Sequence, residues 1–357
     1  MHSRLLFFLL SLLMFEPGYT SEKTDAGPLV VMTDINRVIT AGTAARMRIG
    51  LSREGRPVEA WYFPGTSRER ALVIGGVHGS ELSSTEVADA LIRQLREQEK
   101  PYYSVIVIPC LFPDNAARAG MQPQQLGSVK NIGRYTHAAA TDPNRQMPTP
   151  GHAFDAATGL DHIGRSIEWE NQLLLDLISR FRPSRIASLH AIRNTGYGGI
   201  YADPRTDHLG LALGYASDSS LAVDMARHAQ LAGANVKGNK LEARPTALYY
   251  KDPAPVLPGQ WQARNMTGSA LRGGRGSGVS LGTWGTTAIA WESDSTRNRD
   301  AMRVLTIEFP GARRPDDYTN ASDMALCNQQ VLAFAGALYH IFLGPYYTEK
   351  PPFELVS

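Results

Sequence analysis

The chain has 357 residues, 43% of them hydrophobic and 20% charged, and a formal net charge of +2. This is the balance of an ordinary globular protein, long enough for one large α/β domain. A charge so near neutral, with Arg and Lys scattered and no aromatic residues interleaved among them, excludes a nucleic-acid surface. No internal repeat, heptad or long block of like charge is present, and Cys110 and Cys327 allow one disulfide at most.

The chain opens on a short basic start, Met1-His2-Ser3-Arg4, an apolar run from Leu5 to Phe15 and a breaker-rich polar end, Glu16-Pro17-Gly18-Tyr19-Thr20-Ser21. That order is the pattern of a cleaved secretory signal over 1–21, so an exported, periplasmic or secreted protein is expected. No cysteine near the signal's end offers a lipoprotein anchor, and no later segment is expected to cross a membrane. A short segment, 22–37, precedes the domain.

Apolar strand patterns follow at Ala71 to Val77, Ser104 to Pro109, Ile186 to His190 and Val304 to Phe309. The second ends at Cys110, read as a buried free thiol. An amphipathic helical pattern starts near Glu81. Another spans Ser166 to Phe181, with Ile167, Leu174, Leu177, Ile178 and Phe181 at helical spacing. Two more cover Ser220 to Ala232 and Asp323 to Phe342, the last expected to pack Leu326, Leu332, Phe334, Leu338 and Ile341. Strands alternating with helices predict a single α/β domain over 38–343, a mixed, mostly parallel central sheet flanked by helices, with a tail at 344–357.

Chemistry-bearing residues gather at the strand ends. His78 and Glu81, three apart, lie where the first strand gives way to a helix, and a turn there aims both side chains at one ion. His190 closes the third strand and supplies a third ligand, leaving the fourth position of a zinc site open. Glu308, in the last strand, is placed to take a proton from an activated water, and Arg145 to hold an anionic substrate. Taken singly, a His-x-x-Glu pair recurs by chance and a histidine closing a strand is usually a hydrogen-bonded core residue. Together they fall where an open α/β sheet binds its ligands.

With these residues in hand, the chain resembles the zinc carboxypeptidases of the funnelin type. The resemblance runs through six segments in order: Ile49 to Val58, Gly75 to Glu81, Phe112-Pro113-Asp114-Asn115, Asp142-Pro143-Asn144-Arg145, Val279 to Trp284 and Leu305 to Gly311. It implies one Zn2+ held by His78, Glu81 and His190, Glu308 as general base and then general acid, and Asn144 with Arg145 as clamp for a substrate carboxylate. Arg134, or alternatively Arg118, would stabilise the oxyanion. Ser280 and Leu281 match the specificity-pocket loop. Neither is acidic, so no preference for terminal Lys or Arg is expected. Arg193, after His190, is a further candidate partner for an anionic substrate.

Residues 271–278 contain no tyrosine where the digestive enzymes carry a substrate-capping one. The interval from His190 to Glu308 is long for the family, so 234–277 is read as an insertion or lid. The short metal motif and the expected export resemble murein peptide amidases, which cut between γ-D-Glu and meso-diaminopimelate. A monomer acting on peptide or murein-peptide substrates follows. The alternatives are a carboxypeptidase of ordinary peptides, a zinc deacylase of acylated amino acids and a non-catalytic wall-peptide-binding protein.

Overall fold

The computed structural model of the protein describes residues 30–31, 35–136, 140–213, 215–241, 277–290 and 293–345. The signal segment 1–21, residues 242–276 of the expected insertion and the tail from 346 onward lie outside the described residues. Eight strands form one sheet: β1 (Val30–Val31), β2 (Ala45–Leu51), β3 (Pro57–Phe63), β4 (Arg70–Ile74), β5 (Ser104–Ile108), β6 (Arg185–Ile192), β7 (Gly199–Ala202) and β8 (Arg303–Pro310). Their order across the sheet is β1-β2-β3-β5-β4-β6-β8-β7. The β1/β2, β5/β4, β4/β6 and β6/β8 pairs are parallel; β2/β3, β3/β5 and β7/β8 are antiparallel. The sheet is thus mixed and mostly parallel, as the alternation of patterns predicts.

The central strands read as nearly continuous apolar runs because helices cover both faces. Val73, Val105, Leu189, Leu305, Ile307 and Phe309 pack beneath α2 (Leu82–Glu97), α5 (Tyr215–Leu231) and α7 (Ala321–Ala337). Leu72, Ile74, Ile106, Ile186 and Val304 face the other layer, built from α1 (Ile35–Ala41), α4 (Trp169–Phe181) and α6 (Leu281–Gly285). A short helix, α3 (Pro113–Gly120), follows β5. In α4, Leu174, Leu177, Ile178 and Phe181 are buried as their spacing requires.

The reading of α7 needs correction. Leu326 and Leu332 are 49% and 64% exposed. The buried stripe is Cys327, Val331, Phe334 and Leu338, spaced by four, three and four residues, and that stripe turns 326 and 332 outward. The helix ends at Ala337 and widens into one π turn over Leu338–Phe342. Cys110 and Cys327 are both free, and Cys110 is half-buried at the end of β5. No helix among the described residues is long and apolar enough to cross a membrane.

The four-residue edge strand β7 is finished by a side chain. Asn239 accepts from the Ile200 amide at 2.8 Å and donates to the Ile200 carbonyl at 2.6 Å, pairing backbone groups that a further strand would otherwise take. The first residues of the expected insertion, through the Lys237–Asn239 turn, are therefore fixed to the sheet.

Two of the conspicuous sequence segments meet at Asp114, at the start of α3. Its carboxylate accepts from Ser52 Oγ at 2.7 Å, the Glu54 amide at 2.9 Å and Arg56 Nη1 at 2.7 Å, tying the β2–β3 turn to α3. Burial would raise this carboxyl, but the bonds from Ser52 and Arg56 outweigh it and hold it below the usual range. Asp114→Ala is expected to cost about 2–3 kcal/mol at neutral pH, as a buried charge-assisted network lost. Because the folded pKa is lowered, the stabilisation is present above the ordinary Asp value of about 4 and disappears as pH falls through the folded one. Denaturant melts of both proteins at several pH values should show the deficit shrinking in acid; a pH-independent deficit contradicts the account.

Candidate metal centre and active site

Beyond Ile74 the chain turns sharply through Gly75-Gly76-Val77-His78-Gly79-Ser80 before α2 begins at Leu82. Gly76 has φ +62°, and a Cβ there would lie 2.7 Å from Cys110 Sγ. Gly79 presses its backbone on that of Asn115, where a Cβ would overlap the peptide. Glu81 occupies the helix N-cap position without capping it, so its carboxylate is free to turn inward. Ser84 Oγ instead ties the turn, donating to the Glu81 carbonyl at 2.6 Å and accepting from the Gly76 amide at 3.1 Å.

The sheet supplies the rest. β4 and β8 flank β6, and the parallel register sets His190 opposite Glu308. His78, Glu81 and His190 are buried, with donor atoms all within 4.8 Å of one another. His78 Nδ1 lies 3.0 Å from Glu81 Oε1, His190 Nδ1 lies 3.1 Å from Glu81 Oε2, and the two Nδ1 atoms are 3.2 Å apart. Ligands at ordinary zinc distances in a tetrahedron stand roughly 3.3 Å from each other, so this triangle fits a metal ion of that size.

The remaining histidine nitrogens are held from behind. His78 Nε2 is 2.8 Å from Asp142 Oδ1, and His190 Nε2 is 3.0 Å from Ser188 Oγ. Such outer contacts fix ring orientation at metal sites. Burial would raise the Glu81 carboxyl, but the charges and hydrogen bonds of His78 and His190 hold it well below its usual range. Asp142 is likewise kept low, burial being outweighed first by the bond from His78. Glu308 differs. Its burial dominates and pushes the carboxyl up, though His190 pulls the other way.

Arg134 donates from Nη1 to Glu81 Oε1, and its Nη2 is 3.9 Å from Asp142 Oδ2. Arg118 turns elsewhere, to Asn115 Oδ1 at 2.5 Å and the Tyr135 carbonyl at 3.3 Å. Of the two arginines considered for one role, Arg134 is therefore the one beside the triad. Asp142 caps a short turn over Pro143–Arg145 by accepting from the Asn144 amide at 2.9 Å. Asn144 Nδ2 lies 3.5 Å from His190 Nε2, and its Oδ1 accepts from the Leu281 amide at 3.1 Å. Arg165 stitches this turn to the 277–280 loop by donating to the Arg145 and Ser277 carbonyls at 2.7 and 2.9 Å.

Ser280 and Leu281 take up structural positions. The Ser280 hydroxyl caps α6 by accepting from the Thr283 amide at 3.1 Å, and the Leu281 side chain is buried in the core, leaving its amide to orient Asn144. Arg193 is exposed and reaches the Gln124 carbonyl at 3.5 Å.

Asp203, just past β7, escapes a sequence reading altogether. Its carboxylate packs against Gly282, where a Cβ would overlap Oδ2, and accepts from Thr306 Oγ1 at 3.3 Å. No ion pair reaches it among the described residues; burial pushes its pKa up to about 6, against the opposing pull of the Thr306 hydrogen bond and the Arg145 and His190 charges. The loop expected to form a carboxylate-free pocket thus lies directly against a carboxylate. Asp142 had a signal in the sequence, the Asp-Pro-Asn-Arg turn, and Ser188 had another, its position two residues before His190 on the same strand face. Asp203 had none, because a four-residue edge strand leaves no periodicity to read.

No protein-family model matches the sequence, and no curated protein matches it. Solved structures are similar in architecture. A metallo-carboxypeptidase from Pseudomonas aeruginosa in complex with (2-guanidinoethylmercapto)succinic acid is 16% identical, with a TM-score of 0.47 over 85% of this chain and 67% of that one. A candidate metallopeptidase from Shewanella amazonensis is 16% identical, with a TM-score of 0.44 over 85% of this chain and 88% of that one. A candidate succinylglutamate desuccinylase/aspartoacylase from Shewanella frigidimarina is 13% identical, with a TM-score of 0.43 over 87% and 74%. At these identities the likeness concerns the fold and assigns no reaction or substrate.

The metal test follows from the triad and its supports. His78→Ala is expected to abolish stoichiometric zinc binding, and Asp142→Ala to weaken it by about 10–100-fold by freeing the His78 ring. Chelator competition on folded protein measures both; wild-type affinity in Asp142→Ala would show that the His78–Asp142 contact does not orient a ligand.

Proposed function

We propose that this protein is an exported zinc-dependent hydrolase that removes the C-terminal residue of small peptides. The favoured substrate is a murein peptide cut between γ-D-Glu and diaminopimelate. The observation that carries this reading is a convergence on one sheet face: a buried His78–Glu81–His190 triangle of metal dimensions lies beside Glu308, Arg134 and the Asn144–Arg145 turn. The signal-like residues 1–21 support export.

His78, Glu81 and His190 would hold the zinc ion, which when bound would supply Lewis acidity to polarise the scissile carbonyl and to lower the pKa of water to about 7. Glu308, raised by burial, is suited to take the attacking water's proton and later give it to the leaving amine. Arg134, already among the buried anions, is the donor nearest to charge developing on the carbonyl oxygen. Asn144 and Arg145 receive the terminal carboxylate.

Asp203 narrows the substrate. A buried carboxylate in no ion pair is costly even though the Arg145 charge acts on it from a distance, and a ligand ammonium would lower that cost. Diaminopimelate offers one carboxylate to the clamp and, at the far end of its side chain, an ammonium that Asp203 could receive beside a second carboxylate that must stay turned from it. A terminal Lys satisfies the same carboxylate, so substrate comparison is decisive. Mature protein is expected to release free diaminopimelate from L-Ala-γ-D-Glu-meso-diaminopimelate in a chelator-sensitive reaction followed by mass. Cleavage of C-terminal Lys peptides alone would replace murein with ordinary peptides as the substrate.

Two variants test the roles. Glu308→Gln is expected to keep zinc and lose about 10²–10⁴-fold in turnover; near-normal hydrolysis would remove Glu308 from the mechanism. With the Asp203 pKa at about 6, its charge develops as pH rises through that value. The preference for an ammonium-bearing terminal residue over a neutral one should therefore grow between pH 5 and 7, and flatten in Asp203→Asn. A preference that ignores both pH and the substitution rules out Asp203 as the partner.

A further inference from the structure

β7 carries a second polar side chain on the face of the site. In the antiparallel β7/β8 pair, Gly199 is opposite Glu308 and Tyr201 opposite Thr306, so Tyr201 shares a face with both Thr306 and Glu308. Its ring lies back along its own strand. A Cβ on Gly199 would overlap the phenol oxygen, and so would one on Gly238 in the turn above. The Tyr201 hydroxyl thus takes the place that a residue-199 Cβ would fill. Opposed Cβ atoms in an antiparallel pair stand about 4.5–5.5 Å apart, so a hydroxyl overlapping the residue-199 position lies in the vicinity of Glu308.

The backbone on either side of the phenol is fixed. The Lys237–Asn239 turn is fixed to β7 by the Gly238 amide on the Gly198 carbonyl at 2.8 Å and by both Asn239 bonds to Ile200. Neither Gly199 nor Gly238 admits a side chain without displacing the phenol. Yet Tyr201 is 41% exposed, and its hydroxyl makes no hydrogen bond among the described residues. Burial and then the Glu308 charge raise the phenol pKa, so the group is a neutral donor at physiological pH. A donor lying between two glycine backbones, beside the proposed general base and engaged by no hydrogen bond among the described residues, is placed for a ligand.

We propose that Tyr201 is a substrate-contacting residue whose hydroxyl hydrogen-bonds the bound peptide beside Glu308, on the side away from His190. The proposal rests on the hydrolase reading above and adds a contact that the reading does not contain. It also gives a reason for the Gly198-Gly199 pair at the start of the edge strand: Gly199 leaves the space that the hydroxyl occupies.

Tyr201→Phe removes one oxygen from a ring whose packing stays the same. On the diaminopimelate tripeptide, or on whichever peptide the wild type cleaves, kcat/KM is expected to fall about tenfold, the loss of one engaged hydrogen bond, at unchanged melting temperature and zinc content. Gly199→Ala should reproduce the loss, because its methyl displaces the hydroxyl while the tyrosine remains. In ultraviolet difference spectra, adding product should perturb tyrosine absorption in the wild type, and the component assigned to Tyr201 should vanish in Tyr201→Phe. Wild-type kinetics and an unchanged difference spectrum in Tyr201→Phe would overturn the contact and leave the hydrolase reading intact. A zinc-loaded wild type that neither cleaves the peptides nor shows a tyrosine perturbation would overturn both.

Discussion

The Glu81 carboxylate is the point on which the structure turns. It is buried at the junction of β4 and α2 and receives His78, His190, Arg134 and the Ala191 amide, the last at 3.1 Å. Burying one carboxylate alone is prohibitive, and a cluster persists only when every member has a partner. These contacts join the ends of β4 and β6 to the loop carrying Arg134 in a single buried network. Removing one member leaves the others uncompensated, so the elements behave as a unit. The glycines before Glu81 serve the same end, since Gly76 against Cys110 and Gly79 against Asn115 leave no room for a side chain and hold the turn that aims His78 and Glu81 together.

The sheet divides its labour by face. On one side of β6 and β8, Leu189, Ile307 and Phe309 belong to the core beneath α2, α5 and α7. On the other side, Ser188, His190, Thr306 and Glu308 interrupt what would be a second apolar layer, completed below them by Ile186 and Val304. A polar patch of this kind subtracts from burial at the C-terminal ends of the strands. The apolar rows nearer their starts offset that cost, which is why the site sits at the end of the sheet instead of in its middle. The same face extends across β8 to the edge strand, where Tyr201 and Asp203 lie two residues apart.

Much of this frame was readable from the chain because its central strands are apolar on both faces and stand out as unbroken runs, with the ligand residues just beyond or at their ends. The residues that escaped did so for physical reasons. β7 is four residues with two of them glycine or alanine, too short for a period-two pattern, so its tyrosine and the following aspartate carried no signal. In α7, Leu326 and Leu332 were misplaced because a helix covered on several sides blurs its apolar stripe, and only packing decides which positions face in. Arg118 lies in α3 and Arg134 in the loop that follows it, and which guanidinium the fold brings to Glu81 is not carried by their spacing. Asp142 stood in a visible motif, but its partner His78 is 64 residues away, and only the fold brings them together.

Charge gives the arrangement its direction. Glu81, Asp142, Glu308 and Asp203, when ionised, set four negative charges against the two of Arg134 and Arg145 in the same neighbourhood. The excess of two matches one divalent cation, and the donor triangle on His78, Glu81 and His190 is where such an ion fits. With that excess neutralised, what remains is a pattern more than a net charge: cations at Arg134 and Arg145, and at Asp203 a buried carboxylate that Arg145 influences and no cation pairs among the described residues. A ligand with a single charge can satisfy only one end of that pattern, whereas one carrying a carboxylate and an ammonium on the same terminal residue satisfies both. Electrostatic complementarity of this kind selects among substrates through the groups that wrong ones leave unpaired, and here the unpaired group would be a buried carboxylate.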